Sequence, residues 1–141
     1  EPDVYEKSAS FSRSGMTVLK EYGKDAVLFA SGFILDRVLT AADLLKADGT
    51  NVTVVDVNIL NGADSEKILG VIRGSKQVFT IEDHNVNGGL GSYICHLVCE
   101  NAPTRVTRIG LRSFAESGHA AALADQYGFS PEQIASAVKS A

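Results

Sequence analysis

Two carboxylates and an imidazole stand in a row at Glu82, Asp83 and His84, and a glycine-rich turn, Gly88, Gly89, Leu90, Gly91 and Ser92, follows directly. Two kinds of chemistry fit these residue types. An imidazole that titrates near neutrality beside carboxylates is equipped to move protons. Glycines ahead of a helix let the backbone close on a ligand, and the free N–H groups of the first helical turn receive anions. Each possibility has a structural counterpart: Glu82 and His84 can bond the backbone of the turn, or a partner surface, and the glycines can serve close packing. Packing is the favoured reading, because no lysine or arginine lies within the turn to fix a phosphate. The dinucleotide fingerprint fails, because the spacing is Gly-Gly-x-Gly and no acidic residue lies at the end of the next strand, so nucleotide binding is a lesser alternative to packing or a simple anion.

The remaining reactive residues converge on nothing. Ser117 and His119 are two positions apart, and no Gly-x-Ser-x-Gly elbow occurs in the chain. Cys95 and Cys99 share one side of a helical pattern, while His96 points about 100° away around the helix, so the three do not form a metal site. Residues one helical turn apart rarely meet disulfide geometry, and both thiols are expected reduced and partly buried, as in a cytoplasmic protein. Arg112 is expected to be a surface charge. No catalytic, cofactor-binding or metal-binding residue is assigned.

The elements that must position Glu82 and the glycine turn are legible from periodicity. Val78, Phe79 and Ile81 form a buried strand that the acidic patch closes, and Leu90, Ile94, Leu97 and Val98 then recur at helical spacing. Upstream, Met16 to Lys20 and Ala26 to Ala30 are strands joined by Tyr22-Gly23-Lys24-Asp25, a connection short enough to predict antiparallel neighbours. A helix follows from Ile34 to Leu45 and ends at Asp48-Gly49 as a glycine cap. Val52, Val54, Val55, Val57 and Ile59 form a β-branched run with little alternation, the pattern of a central parallel strand covered on both faces. Asp64 is placed to cap a short helix that stops at Gly74. Arg105 to Leu111 is the last strand, a short helix closes at Gly128, and Ser130-Pro131-Glu132-Gln133 opens the final helix with a serine cap and a proline in the first turn. Alternating strands and helices predict a three-layer α/β/α domain around a mostly parallel five-stranded sheet with one antiparallel edge strand. Residues 1–14, polar and aperiodic, are expected to be an exposed connection from an upstream domain, with residues 15–141 forming the domain itself.

Composition narrows the function classes. The chain has 141 residues, 45% hydrophobic and 21% charged, with a net charge of −4. That length allows one domain with a sizeable core. An acidic chain whose 13 lysines and arginines are scattered has no basic face for a nucleic acid, and no apolar run approaches the roughly 20 residues of a spanning helix. Neither a nucleic acid nor a membrane is expected as partner.

The joint order of several short motifs resembles the C-terminal, third domain of transketolases. These are Glu82-Asp83-His84 with Gly88-Gly89-Leu90-Gly91-Ser92, then Arg108-Ile109-Gly110, Phe114-Ala115-Glu116-Ser117-Gly118, Tyr127-Gly128 and a closing amphipathic helix. The similarity runs from Met16 onward, with Ala115 where the family usually has glycine. Related third domains occur in deoxyxylulose-phosphate synthase and in the beta chains of 2-oxoacid dehydrogenases, but the Phe-x-Glu-Ser-Gly element is more like transketolase. The resemblance implies a complete, cytoplasmic, homodimeric transferase of the pentose phosphate pathway that moves two-carbon ketol units between sugar phosphates. It further implies that thiamine diphosphate and a divalent metal, magnesium or calcium, are held by the diphosphate- and pyrimidine-binding domains, while the third domain supports assembly. The chain lacks the Gly-Asp-Gly with paired asparagines that marks the cofactor site in that family. Glu82, His84, Phe114, Glu116, Ser117 and Gly118 are accordingly expected to be structural. The alternative, from a different class, is a free-standing regulatory module that binds a small anion at the glycine turn.

Overall fold

The computed structural model describes residues 3–5 and 13–141. Five strands, β1 (Thr17–Glu21), β2 (Ala26–Ala30), β3 (Val52–Asp56), β4 (Val78–Asn85) and β5 (Val106–Leu111), form one sheet in the order β1-β3-β2-β4-β5. All neighbours are parallel except β1 and β3. Among the described residues, five α-helices, α1 (Leu35–Ala47), α2 (Ser65–Arg73), α3 (Leu90–Asn101), α4 (Ala120–Gln126) and α5 (Pro131–Lys139), cover it, with a 3-10 turn at Gly32–Ile34 leading into α1.

Strand alternation divides the core into two layers. Leu28 of β2, Val54 of β3 and Phe79 and Ile81 of β4 meet α1, Ala124 of α4 and α5 on one face. Val27, Phe29, Val55 and Val78 meet α2 and α3 on the other. β2 and β3 are buried at every position and, Thr53 and Asp56 apart, their side chains are apolar on both faces, which explains the weak alternation. Local chemistry sets the helix ends as expected: the Asp64 side chain accepts from the Lys67 N–H at 3.2 Å. Ser130 and Gln133 form a reciprocal capping box at the start of α5.

One pairing differs from the sequence expectation. Strands β1 and β2 are antiparallel but not neighbours, because β3 lies between them. The connection wraps the start of β3, with the Tyr22 N–H donating to the Val52 carbonyl at 3.0 Å and the Asp25 N–H to the Asn51 carbonyl at 2.9 Å. Four residues reach roughly 13 Å, enough to pass one strand at about 4.8 Å per strand spacing. A short connection therefore fixes direction without fixing adjacency.

A second difference is the length of β4. The strand continues through Glu82, Asp83 and His84 to Asn85, which pairs with Leu111 across an irregular register. The polar patch lies inside the strand instead of closing it. Residues 3–5, in the segment expected to be an exposed connection, meet the domain: Val4 packs against the α1 and α5 layer, and the Tyr5 hydroxyl donates to Asp56 at the end of β3. Of that segment, residues 1, 2 and 6–12 lie outside the described residues.

Candidate functional site

Because side chains alternate along a strand, the extension of β4 separates the trio that looked like acid-base machinery. Glu82 and His84 face α3. Asp83 points to the opposite layer, where it borders a hollow with Phe33, Leu111 and Phe129. The three groups do not converge on one substrate position.

Glu82 is buried to 3% exposure, and its Oε1 accepts from the Gly91 N–H at 3.1 Å. The amino end of α3 thus already holds a carboxyl group, and that group is the chain's own. The partial positive charge of a helix start and its unpaired N–H groups favour a carboxylate there. His84 Nδ1 lies 3.4 Å from Glu82 Oε2 and 3.1 Å from the Asn85 carbonyl. Burial pushes the Glu82 carboxyl above the ordinary glutamate range, and the Gly91 N–H, His84, the Leu90 N–H and Arg108 pull it partly back.

The glycines are what make this contact possible. A Cβ on Gly91 would lie 2.6 Å from Glu82 Oε1 and 2.8 Å from both Arg108 Cδ and Thr80 Oγ1. One on Gly89 would lie 2.4 Å from Glu82 Oε2 and 2.1 Å from His84 Cε1. The rest of the turn is self-bonded: the Gly88 N–H donates to Ser92 Oγ at 2.8 Å, and Ser92 Oγ donates to the Val86 carbonyl at 3.1 Å. Arg108 donates to that carbonyl at 3.0 Å. Thr80 and Arg108 were not picked out from sequence as parts of this cluster. The signal that could have found them is their register, since β5 pairs Arg108 with Thr80 beside Glu82.

A diphosphate does not fit this turn, because the buried Glu82 side chain fills the helix start and takes the Gly91 N–H. Among the described residues, no three His, Cys, Asp or Glu side chains are grouped to hold a metal ion. His96 sits on the exposed face of α3 near Glu100. Cys95 is half-buried, whereas Cys99, expected to be partly buried, is exposed. Phe114, Glu116, Ser117 and Gly118 lie on an exposed loop after β5, anchored where the Glu116 N–H donates to the Tyr127 hydroxyl at 2.8 Å.

The sheet order, the two helical layers and the glycine turn closed by Glu82 define an α/β domain of the transketolase third-domain type. The family model described as transketolase, C-terminal domain, matches residues 15–134, and the chain belongs to that family. It is 36% identical over 119 residues to 1-deoxy-D-xylulose-5-phosphate synthase of Syntrophotalea carbinolica, covering 83% of this chain and 19% of that protein. It is 34% identical over 122 residues to a subunit of the apulose-4-phosphate transketolase of Actinobacillus succinogenes, covering 86% of this chain and 38% of that relative. Among solved structures it superposes on a split gene transketolase, an inactive beta4 tetramer, with a TM-score of 0.91 and 32% identity, covering 99% of this chain and 46% of that one. The chain thus spans less than half the length of each of these relatives. No helix among the described residues is long and apolar enough to cross a membrane.

Proposed function

We propose that this chain is the non-catalytic C-terminal domain of a thiamine-diphosphate-dependent, transketolase-type transferase, and that it supports the assembly of domains that hold the cofactor and the metal. The observation that carries the reading is the match to the transketolase C-terminal domain over residues 15–134, and the Glu82 side chain bonded to the Gly91 N–H counts against an anion site at the glycine turn. In this reading thiamine diphosphate, with magnesium or calcium, sits on the diphosphate- and pyrimidine-binding domains of a cytoplasmic homodimer, and supplies the carbanion chemistry of ketol transfer. This chain's residues hold structure: Glu82 and His84 fix β4 to α3, and Tyr127 fixes the Phe114 to Gly118 loop. Similarity to both a transketolase and a deoxyxylulose-phosphate synthase supports the transferase class. A free-standing anion-binding module is not favoured, because the carboxylate would have to leave before an anion entered.

The test uses the complete protein, which is expected to transfer a two-carbon unit between sugar phosphates when given cofactor and magnesium. His84→Ala and Glu116→Ala in that protein should change turnover per assembled enzyme by no more than a few fold. A hundredfold loss with assembly unchanged, about 2.7 kcal/mol of barrier, would place these groups in the chemistry.

A further inference from the structure

The carboxyl end of β3 carries polar oxygens that neither the glycine turn nor the family motifs use. Asp56 closes the strand at 3% exposure. Its Oδ2 accepts from the Tyr5 hydroxyl, while its Oδ1 is buried without a hydrogen-bond partner. Thr17 Oγ1 and Asn58 Oδ1 are likewise buried and make no hydrogen bond of normal geometry. Each buried oxygen left in that state costs free energy comparable to a lost hydrogen bond, so three of them at one strand end need an account.

Strand pairing brings the three together. Thr17 and Asp56 stand opposite each other in the antiparallel ladder of β1 and β3, and the Asn58 N–H continues that ladder by donating to the Gly15 carbonyl at 3.1 Å. Opposed residues project to one face with Cβ atoms about 5 Å apart, and residues two apart on an extended chain share a face. That face is the one from which Val52 and Val54 meet α1. Thr17 is close enough to the Tyr5 hydroxyl to act on its ionisation as a hydrogen-bonding neighbour, as Asp56 does. The threonine, the carboxyl and the phenol therefore lie within reach of one another.

The donor set selects the ligand. A carboxylate, an amide carbonyl and a hydroxyl are the oxygen ligands of hard cations. Among the described residues no lysine, arginine or histidine is ion-paired with Asp56. Burial pushes its carboxyl above the ordinary aspartate range, and the Tyr5 bond pulls it only partly back. A bridging water would satisfy the three oxygens but leave the buried carboxylate without a counter-charge, which a cation supplies. One carboxylate among neutral oxygens balances a single positive charge. We propose that Thr17 Oγ1, Asp56 Oδ1 and Asn58 Oδ1 form a site for a monovalent alkali cation, sodium or potassium, which ties β1 to the end of β3 beside Tyr5.

Thermal unfolding of the chain in sodium or potassium chloride is compared with unfolding in tetramethylammonium chloride at equal ionic strength, the organic cation being too large for a buried oxygen site. An ion that binds only the folded chain should raise the melting temperature in at least one alkali salt by about 3 °C or more. Asp56→Asn and Thr17→Val are close in shape to the residues they replace, and each should abolish that difference. Each variant is read through the difference between salts, so its own change in stability cancels. Equal melting temperatures in the alkali and organic salts, as a bridging water or a protonated Asp56 would give, overturn the proposal. A difference that persists in either variant overturns it too, because the ion then binds elsewhere. So does stabilisation by calcium with none by sodium or potassium, because the site then holds two charges.

Discussion

Gly91→Val should be the most damaging single change near the glycine turn, lowering stability by about 3 kcal/mol or more in urea unfolding monitored by circular dichroism. Even the first carbon of the new side chain would lie 2.6 Å from Glu82 Oε1 and 2.8 Å from Thr80 Oγ1. Neither neighbour can yield cheaply, since Thr80 is 0% and Glu82 3% exposed. Gly89→Ala should cost less, although its closest contact is shorter. His84, whose side chain is 55% exposed, can swing outward, and although the buried Glu82 Oε2 would still lie 2.4 Å from the new carbon, alanine adds one carbon where valine adds three. A cost for Gly91→Val below that of Gly89→Ala would show that the turn is not closed by packing against Glu82.

Glu82→Ala should cost about 3 kcal/mol, because it leaves the Gly91 N–H unpaired at a buried helix start and opens a cavity under α3. Glu82→Gln keeps an acceptor for that N–H and should cost little. The two also separate in pH dependence. Burial raises the Glu82 carboxyl above its ordinary value, so the folded state holds a proton that the unfolded state has already released. Stability must then fall as pH rises from the ordinary glutamate range through the raised value, and the penalty is absent below the ordinary value. Asp56, buried at the end of β3, is raised by the same cause and acts in the same direction, while its bond from Tyr5 pulls it partly back. Glu82→Gln should flatten the fall by the Glu82 share and leave the Asp56 share. An unchanged pH profile in Glu82→Gln would show that this carboxyl titrates normally in the fold.

Features governed by near neighbours in the chain are legible in the sequence. Asp64 and Ser130 cap helices because their own side chains reach N–H groups three residues on. The fully buried β3 shows itself in the β-branched run from Val52 to Val55. What depends on distant partners is not legible. Nothing in Tyr22 to Asp25 records that β3 will lie between β1 and β2. Periodicity stops at Ile81, and the continuation of β4 shows only in its pairing with β5, which resumes at Asn85 and Leu111 after an irregular stretch. The glycine turn is recognisable, but its occupant is not: Glu82 precedes Gly91 by nine residues, and only the return of α3 over β4 brings them together. Phe114 looks like one residue of a family motif, and its exposure emerges only once β5 and Tyr127 fix the loop.

The central claim is that the cofactor chemistry resides outside this chain, and calorimetric titration of residues 1–141 with thiamine diphosphate and magnesium tests it most directly. No saturable heat should appear with the chain alone. Binding at one site should appear when the diphosphate- and pyrimidine-binding domains are present. Micromolar binding at one site by the chain alone would contradict the division of labour proposed for this domain.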